Sequence, residues 1–430
     1  MINRIKKKFR SQDNRRLFSN FAALTVLQGA NYIFPLITLP YLVRVLGVEK
    51  YGLLAFAGAT TGYFNIVVDY GFDLVAPREI AINRKNWAKI SEIYSAVMII
   101  KIILMVISTV LLTALVFSFD KFSTDWKLYY LTFGVVVGQA LFPVWLFQGL
   151  EEMKYIAYLN LLTRLIFTVA IFIFVKNEAD YYLVPVIRSL GAVLVGFMAI
   201  CIVKRKFKVV FRLQPFRVLS HYFREGYHVF ISKIAISLYT ISTTFILGLF
   251  TNNVIVGYFA AADRIIQALK GLTGPISQAI YPFISKKISD SKEEGLRIIR
   301  LAAKYIGGIT GVISLFVLIF AAPLVHILLG SQYENSVSVL RIMSVLPFFI
   351  GLSNVFGVQA MVSFGREKPF SRIVITGSIL NLVLSFILVP LFHQVGSAIS
   401  VVTVELFITL SMFIYLQTHG LKIIGVNRFV

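Results

Sequence analysis

Ten ionisable side chains lie inside otherwise apolar stretches of this 430-residue chain. Lys101, Arg164, Arg188, Lys233, Arg264 and Lys270 fall well within such stretches. Asp263 and Glu405 lie at similar depth, and Asp69 and Asp73 lie toward one end. A charge at the middle of a bilayer costs about 2.5–3.5 kcal/mol on insertion scales, so such residues turn toward a protein interior or an aqueous cavity. Helical spacing groups them further. Lys233, Ser237, Thr240 and Thr244 follow i, i+4, i+7, i+11; Asn160, Arg164 and Thr168 form a second stripe; Asp263, Gln267 and Lys270 form a third. Arg264 is rotated about 100° from Asp263 and belongs to another face.

Six deep cations against two deep anions leave an excess that an anionic ligand would satisfy. Arg and Lys hold phosphate and carboxylate through charge-assisted hydrogen bonds, Arg bidentately. The competing arrangement is internal pairing, Asp263 with Lys270 or Lys233 and Glu405 with Arg188. Lys101 has a second reading as well, with its ammonium snorkelling to the inner surface. Asp69 and Asp73, four residues apart, are open to two readings: a proton or sodium site, or a helix-end pair neutralised by Arg78 or Arg84. Gln139, Phe142, Trp145 and Gln148 offer stacking and hydrogen bonds to a sugar, against a lipid-facing or interfacial role for the Trp.

The elements that must position these groups follow from composition. Hydrophobic residues make up 58% of the chain, charged residues 14%, and the mean hydropathy is +0.81, which places it among integral membrane proteins. About 20 apolar residues at 1.5 Å rise cross about 30 Å of hydrocarbon. Twelve stretches qualify: 17–43, 51–75, 91–118, 127–149, 155–175, 181–203, 226–250, 255–281, 303–326, 337–363, 370–390 and 395–418. The expected fold is all-α with twelve transmembrane helices. With both termini cytoplasmic, 30 of the 42 Lys and Arg fall on the inner side and 6 on the outer. That satisfies the positive-inside rule and turns the +22 net charge into an orientation signal rather than a nucleic-acid footprint. KRKFKVVFR and SKKISDSKEEGLR are read as cytoplasmic loops. The N-terminal MINRIKKKFRSQDNRR is basic like a signal peptide, but the apolar run after it is too long, so a retained first helix is expected.

Gly52 and Gly257 stand 205 residues apart, as do Pro77 and Pro282. This spacing marks two parallel six-helix halves, 1–214 and 215–430, joined through the basic loop 204–224. The turn RVLGVEK of the first half then corresponds to LFTNNVI of the second. Cys201 stands alone, so neither an intrachain disulfide nor a CxxC pair exists. There is no G-x-x-x-x-G-K-[ST] loop, no HExxH and no zinc spacing, and the five histidines are scattered, so no metal or cofactor is expected.

The segments PYLVRVLGVEKYGLLAFA (40–57), DYGFDLVAPREIA (69–81) and GYFAAADRI (257–265) resemble the Wzx-type O-antigen flippases, polysaccharide exporters of the multidrug/oligosaccharidyl-lipid/polysaccharide superfamily. The resemblance implies a MATE-like fold of two six-helix lobes in the bacterial inner membrane. It also implies alternating access that carries an undecaprenyl-pyrophosphate-linked oligosaccharide, of O-antigen, capsule or exopolysaccharide, to the outer leaflet. A pyrophosphate would supply the anions that the residues ask for. Arg164, Arg188, Lys233, Arg264, Lys270, Asn160, Ser237, Thr240 and Gln267 are then the substrate candidates, and Asp69, Asp263 and Glu405 the ion-coupling candidates, with H+ or Na+ as the driving ion. A polysaccharide polymerase and a chain-length regulator are the implied protein partners. Related peptidoglycan-precursor flippases carry two further helices, so a chain ending at twelve is expected on the O-antigen or capsule branch. The rivals are a small-molecule antiporter of the same fold, which for cationic drugs would need an acidic cavity, and a membrane-embedded polymerase or glycosyltransferase, which would need a large outside loop.

Overall fold

The computed structural model describes residues 12–271, 274, 277, 280, 281, 284, 285, 287, 288, 291–421 and 423, with side chains from residue 33 onward except 238–240. The first eleven residues of the basic tail, Pro282 and the Thr240 side chain lie outside the described residues.

Every element among the described residues is helical. Helix α1, Gln12–Asp69, breaks at Gly47, whose φ of 70° is left-handed. Then follow α2 (Phe72–Ile82), α3 (Trp87–Ser118), α4 (Asp120–Ser123), α5 (Trp126–Leu141), α6 (Val144–Gly149), α7 (Met153–Phe174) and α8 (Leu183–Lys206). After a non-helical linker come α9 (Phe216–Thr240), α10 (Ser242–Phe250), α11 (Asn253–Gly271), α12 (Lys292–Ile319), α13 (Ala321–Leu328), α14 (Ser336–Met343) and α15 (Leu346–Asn354). A π-helical stretch, Val355–Val362, leads to α16 (Glu367–Thr418), which breaks at His393. Local chemistry sets several of these boundaries. The Asn86 side chain accepts from Lys89 N at the start of α3, and Ser291 caps α12 ahead of Glu293 and Glu294, whose charges suit the positive end of the helix dipole. Pro143, without an N–H to donate, separates α5 from α6.

Eight helical stretches among the described residues are long and apolar enough to cross a membrane, and nine if α9 and α10 count as one. Two of them, Ile33–Ile82 and Glu367–Thr418, run to 50 and 52 residues. At 1.5 Å per residue each would reach about 75 Å, more than twice the hydrocarbon thickness, and Gly47 and His393 interrupt them.

By packing, the chain forms two compact units. One comprises residues up to Phe34 with Ala57–Ile234; the other comprises Pro35–Phe56 with the chain from Ala235. Helix α1 therefore contributes to both. In the first unit α5 packs along α8, and Ser189 Oγ donates to Leu131 O between them. In the second, Ile299 and Ile306 of α12, Val355 and Met361 of the π stretch, and Val404, Ile408 and Met412 of α16 share one core. Both units are inside-out relative to a water-soluble protein. Val110, Leu111, Val169 and Leu194 point outward, as do Val312, Ile379 and Ile387, whereas Ser108, Thr132, Thr310, Ser385 and Ser400 are buried. Lipid supplies no hydrophobic drive between helices, so close packing and small polar groups must hold them together.

The turn RVLGVEK lies in the second unit and is tied down there. Arg44 Nη2 donates to Ile327 O, Gln332 Nε2 to Val43 O at 2.9 Å, and the Tyr333 hydroxyl to Gly47 O at 3.2 Å. Gly52 meets α11 almost backbone to backbone. A Cβ there would stand 1.8 Å from Asn253 O and 2.6 Å from Gly257 N, and one on Gly257 would stand 2.2 Å from Val48 O. The two glycines that the sequence offers as repeat markers thus face each other.

Candidate functional site

Two groups of ionisable side chains form, one in each unit. In the first, the end of α1 is set by Tyr70 and Gly71, both left-handed with φ of 46° and 82°, so Asp69 closes one helix while Asp73 opens the next. Helix α9 packs over this break. The Tyr70 ring stacks on Phe223 and Phe230 at centroid distances of 4.3 and 4.5 Å. That stack places Lys233, one turn beyond Phe230, over both acids. Its Nζ lies 2.5 Å from Asp69 Oδ2 and 2.6 Å from Asp73 Oδ1. From α3, the buried Lys101 Nζ reaches Asp69 Oδ1 at 3.5 Å and donates to Gln139 O at 3.4 Å. Two carboxylates and two ammoniums cancel formally, which offsets the cost of placing charge at that depth.

This arrangement corrects several expectations. The counter-ions of Asp69 and Asp73 are Lys233 and Lys101, not Arg78 or Arg84; Arg84 pairs instead with Glu151 at 2.9 Å. Lys101 does not snorkel to a surface: only 3% of it is exposed. Lys233, expected as a cavity cation, is held by carboxylates. Trp145 is also relocated. With 1% exposure beside Tyr94 it faces neither lipid nor a sugar, while Gln139, on the preceding helix, is exposed.

In the second unit a cavity of about 310 Å³ is lined by α10, α11, α15, the π stretch and α16. Asp263, Gln267 and Lys270 line it from α11, as their helical spacing predicts, and Gln267 Nε2 donates to Asp263 Oδ1 at 3.3 Å. Glu405 of α16 lines the same cavity and accepts from Ser353 Oγ at 2.7 Å. Thr243 and Asn354 add polar groups that no sequence stripe marked, Thr244 joins them from the stripe that began at Lys233, and Phe259 and Phe370 add aromatic walls. Arg264 does not line it. It lies exposed, near Tyr51, as its rotation from Asp263 demands.

The stripe assumed for 233, 237, 240 and 244 does not persist, because the helix breaks at Ile241. Lys233 meets Asp69 before the break, Thr244 lines the cavity after it, and Ser237 is buried between them. On α7, Asn160 donates to its own helix at Ile156 O, Arg164 is half-buried and Thr168 is buried. Arg188 is exposed on α8. Among the described residues no group of three or more His, Cys, Asp or Glu side chains is placed to hold a metal ion.

Comparison with known proteins turns this geometry into a family assignment. The model of the polysaccharide biosynthesis protein family matches residues 17–288, well over half of the chain. The chain belongs to this family. A relative named "Putative O-antigen transporter", from Escherichia coli (strain K12), is 38% identical over 407 residues, covering 94% of this chain and 97% of its own. Among solved structures, the lipid II flippase MurJ in an inward closed conformation superposes with a TM-score of 0.69 at 12% identity, covering 93% of this chain and 87% of its own. An inward-facing multidrug resistance MATE family transporter of the MOP superfamily gives 0.64 at 15%, covering 90% of this chain and 95% of its own. The all-helical fold of this family member is therefore MurJ- and MATE-like, and the chain is a multi-pass membrane protein.

Proposed function

We propose that the chain is a flippase that moves a lipid-pyrophosphate-linked oligosaccharide from the cytoplasmic to the outer leaflet of a bacterial inner membrane by alternating access. The observation that carries this is the 38% identity, along nearly the whole of both chains, to the relative named for O-antigen transport. Undecaprenyl pyrophosphate as carrier, and O-antigen or capsule repeat units as the glycan, complete the reading. The reading takes twelve spans with both termini cytoplasmic; the interruptions at Gly47 and His393, each within a stretch long enough for two crossings, favour more spans than the eight or nine apolar stretches among the described residues. The lobes are proposed as 1–214 and 215–430, with a polysaccharide polymerase and chain-length regulator as partners downstream.

Arg164, Arg188, Arg264 and Lys270 are the proposed attractors of the pyrophosphate. Lys233 takes part only by exchange, since its ammonium already holds Asp69 and Asp73. A phosphate oxygen would have to replace those carboxylates, and protonation of Asp69 would lower that cost. A gradient of H+ or Na+ felt at Asp69, Asp263 or Glu405 is therefore the proposed drive. One charge moved across 100 mV is worth about 2.3 kcal/mol. The test is deletion in the native host with analysis of lipid-linked sugars by leaflet. Accumulation in the cytoplasmic leaflet, relieved by the wild-type gene and not by Arg164→Gln, is the expected result, and unchanged surface glycan would overturn it.

One observation favours a second reading, export of small cationic molecules. Among the described residues that line the cavity of the second unit, the charged ones are Asp263, Glu405 and Lys270, two acids to one base. Drug susceptibility of the same deletion strain separates the two.

A further inference from the structure

The cavity of the second unit has features that ion coupling does not require. A bare cation needs a few oxygens drawn closely around one point. Here about 310 Å³ is held open, within the range of small-molecule sites, with polar groups spread over several elements. Asp263 of α11 and Glu405 of α16 supply acceptors. Lys270 and the amide of Gln267 supply donors, and Phe259 and Phe370 supply flat apolar faces.

Behind the wall runs a chain of side-chain hydrogen bonds. Gln359, fully buried in the π-helical stretch, donates through Nε2 to both the carbonyl (2.8 Å) and the hydroxyl (2.7 Å) of Ser277. Because that hydroxyl accepts from Gln359, its own proton goes to Asn354 Oδ1. The orientation of the Asn354 amide is thereby fixed, and its Nδ2 protons are left for whatever enters the cavity that Asn354 lines. Gln359 Oε1 has no hydrogen-bond partner among the described residues. A π-helical segment is rarer and less regular than the α-helix around it, and such segments gather at functional sites.

We propose that this cavity is a subsite for one sugar residue of the transported glycan, a neutral or amino-substituted pyranose. Carboxylates and amides carried by different helices bond the ring hydroxyls, and the aromatic faces cover the C–H face of the ring. Two carboxylates against one ammonium among the described lining residues repel a uronic acid and welcome a protonated amine. The subsite rests on the flippase reading above and adds to it a preference among sugars.

Saturation-transfer NMR on the full chain in lipid nanodiscs tests it, with glucosamine, galactose and glucuronic acid as probes. Transfer to the first two and not to glucuronic acid is expected. Asp263→Asn removes a charged acceptor and should lower the glucosamine signal roughly tenfold, the usual weight of one charge-assisted hydrogen bond. Thr244→Phe, which fills the cavity without touching a charge, should abolish transfer to both sugars. Equal transfer to all three probes, or signals that survive both variants, would overturn the subsite. So would sodium-23 line broadening sensitive to Asp263→Asn with no sugar transfer, since that describes a cation site. Restoring surface glycan to the deletion host with the same gene keeps the two readings apart. Restoration without sugar transfer sinks the subsite alone, and failure to restore sinks the flippase together with it.

Discussion

Lys101 is the side chain whose environment is least like that of an ordinary lysine. It is buried, it reaches Asp69 and the Gln139 carbonyl, and its removal would leave the acid facing Lys233 alone. Lys101→Met should therefore lower thermal stability in detergent by about 3 kcal/mol, the usual penalty for breaking a buried pair. The double variant with Asp69→Asn should recover part of that loss, a non-additivity that a merely packed lysine would not show. Trp145 gives the complementary case. Trp145→Phe should preserve glycan display, whereas Trp145→Ala should cost about 3–5 kcal/mol and reduce membrane abundance, because the ring fills a core. Residue type and depth alone marked Lys101 and Trp145 for attention. Their partners were not legible, since Asp69 is 32 residues from Lys101 and 164 from Lys233, and helical periodicity relates only neighbours on one helix.

At the scale of elements, periodicity succeeded where a helix stays whole. Asp263, Gln267 and Lys270 line one cavity because α11 runs unbroken through them. It failed at Lys233 to Thr244 because Ile241 interrupts the turn count. The glycine pair belongs to this scale too. Gly52→Ala should cost roughly 1–3 kcal/mol or more through overpacking, since its methyl would meet backbone atoms that cannot rotate away. Gly58→Ala, on the same helix with nothing within 4 Å, should leave abundance unchanged or improve it, by about 0.5–1 kcal/mol. Immunoblots of membrane fractions and thermal melts distinguish the pair. The sequence offered both glycines as repeat markers. That one meets the backbone beside the other was invisible, because contact between helices depends on how they cross.

For the whole molecule, orientation is the property most directly open to test. In a Cys201→Ser background, a cysteine at Ser331 should react with a membrane-impermeant maleimide from outside. One at Ser291 should react only after the membrane is opened. The reverse pattern would invert the topology drawn from 30 inner and 6 outer basic residues.

What the sequence determined by itself was the class of the molecule: an all-helical, multi-pass membrane protein of the polysaccharide biosynthesis family. Hydropathy, charge asymmetry and short motifs are local quantities, and each survives any arrangement of the helices. Only the tertiary structure decided which charges are ligands to one another. It gave Lys233 and Lys101 to Asp69 and Asp73, and it brought Glu405 to the cavity that Asp263 and Lys270 line. Pairing at that depth is set by distances of a few ångströms between helices far apart in the chain. In a low-dielectric interior those distances, rather than the count of charges, decide which cation is still available to a substrate.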